Sequence, residues 1–399
     1  MIPEYHQHEE FQNRSAKLQE IREMGIDPYP HVFVPTETAK SIASSYESLV
    51  QHSEEAAEGT TPKVKVSGRL VLFRAMGKNA FGHIQDETGR IQVMFNKDLT
   101  TVSQLNIPEW TPLKFIEKKI DLGDILGIEG HLFRTQKGEL TIFVKEMTLL
   151  CKTLLPLPDK HSGLTDKGVR YKKRWLDLIS HPDVLQQFQL RSKILKLIRQ
   201  KFEATGFLEV ETPVLQNAYG GAQAKPFITH INALNQSMFL RISLEIPLKK
   251  LLVGGFSKVY EIGKVFRNEG IDRTHNPEFT ELEAYAAHWD YKDMMKFTEE
   301  LFEEIALSLY GHTKILVKKD DVSHEIDLKA PWIRMSMKDS IKTYANIDPD
   351  LLSLQEMKDL LLNAGVSPQE LKGASKGQLI ALLFEEFAEI GRASCRERV

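Results

Sequence analysis

Arg267, Glu269, Phe279, Glu281, Glu283 and Tyr285 fall close together in the run FRNEGIDRTHNPEFTELEAY, residues 266–285. Arg267 and Glu269 are two apart and follow the run KVYEIGKV. Glu281, Glu283 and Tyr285 then alternate. Alternating residues on a strand share a face. A strand–loop–strand hairpin would therefore set two carboxylates, a guanidinium and an aromatic ring around one surface. A planar guanidinium suits phosphate or carboxylate oxygens, and a carboxylate suits an ammonium ion that must leave water. A solvated hairpin laced with surface ion pairs has the same pattern, and the residues alone leave both readings open.

Other elements must position this hairpin. Residues 8–25 have helical spacing at Phe11, Leu18 and Ile21, closed by Gly25. Pro28, Pro30 and Pro35 break that helix, and residues 44–61 read as a surface helix or linker. From 63 to 150, β-rich runs such as KVKVSGRLVLFRAM and GELTIFVKEMTLL are separated by the turns ETGR and QKGE. About five short strands in this length suit an oligonucleotide/oligosaccharide-binding (OB) barrel; strand count alone suits a small sandwich equally. The Pro-bearing run LLPLPDKHSGL reads as a hinge. The pattern predicts an amphipathic helix from about Pro182 to Thr205, ended by Gly206, then FLEVETPVL as a strand. Helices and strands alternate to Trp289, as in an α+β domain, and 291–389 reads as mostly helical.

Composition narrows the class. The chain has 399 residues, 42% hydrophobic and 27% charged, with net charge −3. Nucleic-acid contact must then come from local patches. No apolar run is long enough to span a membrane, and the N-terminus lacks a signal-peptide pattern. The two cysteines, Cys151 and Cys395, suit neither a disulfide framework nor a metal site. A cytoplasmic protein without membrane partners is expected.

The hairpin sequence resembles motif 2 of class II aminoacyl-tRNA synthetases, carried by Phe266-Arg267-Asn268-Glu269, His275 and Phe279. FRNEGID followed by THNPEFT resembles the lysyl branch of subclass IIb in particular. So do GGAQAKPFITH, LRISLEIPLKKLLVGGF, MGKNAFGHIQDETGRIQ and PLPDKHSGLTDKGVRYKKRWLDL. Gly206 to Pro213 resembles motif 1. The resemblance implies an α+β multidomain fold: an N-terminal OB barrel, then a class II antiparallel-sheet catalytic domain. The implied divisions are 1–62 (N-terminal helix and linker), 63–152 (anticodon-binding barrel), 153–181 (hinge) and 182–389 (partial catalytic domain with a helical insertion).

The implied function is ATP-dependent attachment of lysine to tRNA(Lys) through a lysyl-adenylate, with Mg2+ as cofactor and a homodimer as the assembly. By resemblance Arg267 stabilises charge on the α-phosphate. Asn268, Glu269, His275 and Asn276 line the ATP site with it, and Phe279 stacks on adenine. Gly221 and Glu245 hold the lysine α-amino group, and Glu283 with Tyr285 helps form the side-chain end. Arg74, Phe81 and Gln92 match positions that read the middle anticodon base; a ring for stacking and polar groups for a base edge suit single-stranded RNA. Arg170, Lys172, Lys173 and Arg174 form a basic cluster that suits either tRNA backbone or solvent.

Nothing after Tyr285 resembles motif 3, and the carboxylates expected to hold Mg2+ are missing with it. Residues 390–399 (IGRASCRERV) abruptly lose the apolar pattern and match a translated sequencing-library adapter. The expectation is a chain cut short after Glu389 and inactive as it stands. Three other readings remain: an aspartyl- or asparaginyl-type synthetase, opposed by Glu245 and Glu283; a lysine ligase acting on a protein, opposed by the N-terminal barrel; and a non-catalytic fragment that only binds the tRNA anticodon.

Overall fold

The computed structural model describes residues 4–158, 164–272, 274–319 and 322–388. The expected adapter tail, 390–399, and part of the hinge lie outside them. Two compact units result, Met1–Leu190 and Arg191–Val399.

In the first unit, strands β1 (Lys63–Met76), β2 (Asn79–Gln85), β3 (Arg90–Asn96), β5 (Ile125–Arg134) and β6 (Leu140–Cys151) lie in the order β3-β2-β1-β5-β6. A parallel β3–β6 pairing closes the ring, and the two-residue β4 (Thr101–Val102) adds to β6. Strict alternation drives closure: in β2, Ala80, Gly82 and Ile84 face inward while Phe81 and His83 face out. The interior is filled by Leu70, Ile84, Val93, Phe95, Leu126 and Ile128, and Phe115 of α4 (Pro112–Lys119) packs into the same core. At Gly130 the β5–β6 register shifts, and a Cβ there would meet Phe143 O at 2.1 Å. This is a five-stranded closed barrel of the OB type.

Helix α1 (Glu9–Glu23) buries Leu18 and Ile21, the latter in the barrel core. Its Arg14 donates to Leu122 O and to Thr153 Oγ1, both at 3.1 Å. Beside it the Lys152 ammonium is fully buried between Asp121 and Asp124. Helix α2 (Ala39–Ser45) comes just before, and α3 (Ser53–Glu58) within, the stretch read as a surface helix or linker. After the barrel come α5 (Lys167–Lys172) and α6 (Arg174–Ser180). Arg170 and Arg174 both donate to the fully buried Asp177. Half of the basic cluster is thus spent on an internal carboxylate, and Lys172 and Lys173 remain exposed.

Helix α7 (Pro182–Ala204) leads into the second unit. Its sheet is β12-β11-β7: β11 (Lys258–Phe266) pairs antiparallel with β12 (Glu278–Ala286) and parallel with β7 (Leu208–Glu209). The single strand expected from Phe207 to Leu215 is instead two short pieces, β7 and β8 (Leu215–Gln216). Pro213 lacks the N–H that continued pairing needs, and β8 joins β10 (Gln236–Leu240), which also pairs β9 (Ile228–Ile231).

The β11–β12 pair has two different faces. Tyr260, Ile262, Leu282 and Ala284 pack with Phe202 of α7 and Phe297 of α9 (Tyr291–Tyr310). Val259 and Val265 pack on the other face with Leu244, Phe279, Tyr285 and Leu248 of α8 (Glu245–Val253). An apolar hollow of about 580 Å³, lined in part by Ile198, Phe202, Leu282 and Phe302, opens on the first face, away from the carboxylates.

The region beyond 291 is less helical than expected, because β13 (Lys314–Lys319) and β14 (Val322–Asp327) pair as a hairpin. The last helices, α10 (Met337–Ser340), α11 (Leu354–Asn363), α12 (Pro368–Leu371) and α13 (Lys376–Leu383), close over a small core of their own around Ile341, Met357, Leu361 and Leu379.

Candidate functional site

The antiparallel register sets Glu261 opposite Glu283, Gly263 opposite Glu281 and Val265 opposite Phe279. Opposed residues share a face, so Phe279, Glu281, Glu283 and Tyr285 line one side of the hairpin. Glu283 is the best-held of these groups. Its Oε1 accepts from Ser243 Oγ at 2.8 Å and from the Leu244 N–H at 3.1 Å, and its Oε2 accepts from the Tyr285 hydroxyl at 3.0 Å. All three donors are uncharged. Burial, followed by this bond to Glu283, pushes the Tyr285 phenol above its ordinary pKa.

Ser243 also accepts from the Glu245 N–H at 3.0 Å, which ties the start of α8 to Glu283. The Glu245 carboxylate accepts from Lys249 at 2.7 Å, one turn along α8. Gly221 closes this corner with φ +88, where a Cβ would lie 2.8 Å from Ser243 Oγ and 2.9 Å from Glu245 Cβ. The structure thus brings Gly221, Glu245, Glu283 and Tyr285 together around Ser243, a residue the sequence reading passed over. Serine two residues before a glutamate carries no signal of its own.

Arg267 lies at the other end of the same face. Its guanidinium sits 5.0 Å from the centre of the Phe279 ring, donates to Ile242 O at 3.3 Å, and approaches Glu281 at 3.5 Å. Glu281 Oε2 is buried with no hydrogen-bond partner. Burial pushes the Glu281 carboxyl above the usual range and Glu283 pushes the same way, against Arg267 and Arg241. Under this face Arg241 and Glu261 form a buried ion pair at 2.6 Å. Arg241 also binds Thr212 O and Lys264 O, and Glu261 accepts from the Thr212 hydroxyl. Gly263 leaves room for it, since a Cβ there would meet the Arg241 guanidinium at 2.3 Å. Sequence reading missed this pair, because the two residues lie 20 apart in different elements.

The remaining motif residues are placed differently. The Asn268 N–H donates to Lys225 O at 2.7 Å, and Glu269 Oε1 accepts from the Lys225 N–H at 3.2 Å, so both anchor the hairpin to the preceding loop. His275 and Asn276 are exposed in the connection between β11 and β12. His275 Nδ1 pairs with Asp272 at 2.7 Å, and the Asn276 amide donates to Glu278 O. The N–H of Thr274 and then His275 hold the Asp272 carboxyl well below its usual range. Among the described residues no three His, Cys, Asp or Glu side chains gather as a metal-ligand set. No such set among them marks a Mg2+ site.

On the barrel, Arg74 stands opposite Phe81 across β1–β2, and Phe81 opposite Met94 across β2–β3. Arg74 is exposed and Phe81 half-buried, packing on Met94, Phe133 and Phe143. Gln92 stands opposite His83 on one side and Thr141 on the other. All three named positions therefore sit on the outer wall, Arg74 on β1, Phe81 on β2 and Gln92 on β3 beside the β3–β6 seam.

Comparison with known proteins agrees with this arrangement. The family model for class II tRNA synthetases (D, K and N) matches residues 166–378, and that for the OB-fold nucleic acid binding domain matches 64–150. The chain is 56% identical over 388 residues to a lysine–tRNA ligase of Chlamydia caviae, covering 96% of this chain and 74% of that one. It is 43% identical over 381 residues to the lysine–tRNA ligase of Carboxydothermus hydrogenoformans, covering 94% and 72%, and 42% identical over 372 residues to that of Fervidobacterium nodosum, covering 93% and 69%. No helix among the described residues is long and apolar enough to cross a membrane. Barrel, hairpin and relatives converge, and the chain belongs to the lysine–tRNA ligase family of class II tRNA synthetases.

Proposed function

We propose that the protein activates lysine with ATP and transfers it to tRNA(Lys), working in the cytoplasm as a homodimer. The observation that carries the choice of lysine is Glu283: a half-buried carboxylate whose three donors are all neutral. Its charge is left for a substrate to balance. Glu261, by contrast, is already matched by Arg241, and Glu245 by Lys249. A lysine ammonium completes such a site, whereas an aspartate side chain would bring a further negative charge to Glu283.

The first step is attack of the lysine carboxylate on the α-phosphorus of ATP. A carboxylate–phosphorus bond forms, the bond to pyrophosphate breaks, and lysyl-adenylate remains. The attacking carboxylate is already ionised at neutral pH, so no general base is needed. The work is positioning and charge stabilisation. Arg267 holds the phosphate oxygen, and Phe279 beneath its guanidinium takes the adenine ring. Gly221 and Glu245 seat the α-amino group, with Glu283 and Tyr285 at the side-chain end. Asn268 and Glu269 shape the ATP side from the loop they anchor, and His275 and Asn276 line it from the connection between β11 and β12. A terminal tRNA hydroxyl then attacks the carbonyl and releases AMP. Arg74, Phe81 and Gln92 read the middle anticodon base.

The test is lysine-dependent ATP–pyrophosphate exchange, measured on this chain and on the full gene product recovered from source DNA. Exchange with lysine and none with aspartate or asparagine supports the reading. Exchange with aspartate overturns the substrate. Anticodon-specific RNA binding by both proteins without exchange by either leaves a binding module.

A further inference from the structure

The outer wall of the barrel holds a hydrogen-bonded relay that the motif residues do not account for. Glu139 sits in the turn between β5 and β6, its side chain about half exposed. One carboxylate oxygen accepts from Gln92 Nε2 at 2.7 Å, and the other meets His83 Nε2 at 2.9 Å. Thr141 Oγ1 donates to Gln92 Oε1 at 2.8 Å. A carboxylate only accepts, so Glu139 decides which end of the Gln92 amide is which. The nitrogen must face Glu139 and the oxygen Thr141. One N–H and one oxygen lone pair then remain for a base edge, in a fixed order.

Fixing that order depends on the carboxylate staying in place. A half-exposed glutamate on a turn is free to swing into solvent unless its second oxygen is held, and His83 holds it. The ring's own state follows from its surroundings. Nδ1 is buried with no partner, so a hydrogen there would be stranded. With hydrogen on Nε2 the ring donates to Glu139 and leaves only a lone pair at Nδ1.

We propose that His83 is a positioning residue of the anticodon face, locking the Gln92 amide through Glu139 so that it distinguishes one base edge from its donor–acceptor mirror. This rests on the reading that Gln92 meets the middle anticodon base. Uracil offers an N–H donor beside a carbonyl acceptor, and cytosine offers the reverse order at the same two atoms. An amide free to flip accepts both, and a locked one does not.

The experiment uses the full 399-residue chain and labelled RNA hairpins carrying the lysine anticodon, with uracil or cytosine in the middle, read by fluorescence anisotropy. His83→Leu is expected to reduce the uracil-over-cytosine preference by about tenfold, the scale of one base-edge contact, while the melting temperature stays near wild type. His83→Gln, whose amide N–H can still reach Glu139, keeps most of the preference. In a Gln92→Ala background His83→Leu has no further effect. Glu139→Ala, at a turn position that folding tolerates, must reproduce the loss even if His83→Leu folds poorly. An unchanged preference in either His83→Leu or Glu139→Ala overturns the proposal alone, as does a further loss in the Gln92→Ala background. A wild-type chain with no middle-base preference overturns the anticodon reading and this inference together.

Discussion

Gly221 shows how little space the lysine corner spares. With φ +88, any side chain is strained there, and a Cβ would press on Ser243 and Glu245. Gly221→Ala is therefore expected to weaken lysine binding by tens of fold, roughly what a sub-ångström displacement of positioned groups costs. Calorimetry with lysine and with ATP checks it: the ATP affinity should move far less. Glu281 makes a different prediction. Its folded pKa is raised, first by burial and then by Glu283. A group shifted this way favours folding below its unfolded value, near 4.3 for glutamate, and loses that contribution as pH rises through the folded value. Glu281→Gln should raise the melting temperature at neutral pH, and the gain should close as pH falls below the ordinary carboxylate range. A gain that persists in acid would show that charge is not the cause.

At the scale of elements, ion pairs join pieces that are far apart in sequence. Lys152 at the end of the barrel satisfies Asp121 and Asp124, and Lys17 of α1 reaches the same Asp121. Lys152→Met keeps the packing but leaves the fully buried Asp124 without its counter-charge, a loss on the order of 3–5 kcal/mol, to be read from the urea midpoint. Burial raises the Asp121 carboxyl, but Lys152 and Lys17 outweigh it and hold it below its ordinary value. The stability this supplies is complete above about pH 3.9, the unfolded value, and is lost as pH falls through the lower folded value. Lys152→Met should flatten that part of the acid-unfolding curve. These joints were not legible beforehand. Lys152 lies 31 residues from Asp121 and 28 from Asp124, and the three meet only in the folded barrel. The β13–β14 hairpin was missed for a related reason. Its strands are short and charged, and pairing rather than propensity makes them strands.

At the scale of the molecule, the net charge of −3 gives no general attraction to nucleic acid. RNA binding should then be local and only shallowly dependent on salt, each phosphate contact adding about 0.7 to the slope of log affinity against log salt for a single strand. A slope beyond about 4 would point to a broad backbone interface instead. Sedimentation should give twice the chain mass if the proposed homodimer forms; a monomer at micromolar concentration would remove it. Much about this protein was already determined by sequence. Alternation in β2, β3 and β12 decides which residues face outward, because the side-chain period of a strand is two. The motif strings fixed the family, because their order and residue types are shared. Tertiary structure alone decided what those residues touch. Ser243 joins Gly221, Glu245 and Glu283; Arg241 and Glu261 brace the sheet beneath them; His83 and Glu139 orient Gln92 across the barrel seam. Each contact links residues from different elements. Its energy depends on distance and burial, and neither is a property of local sequence.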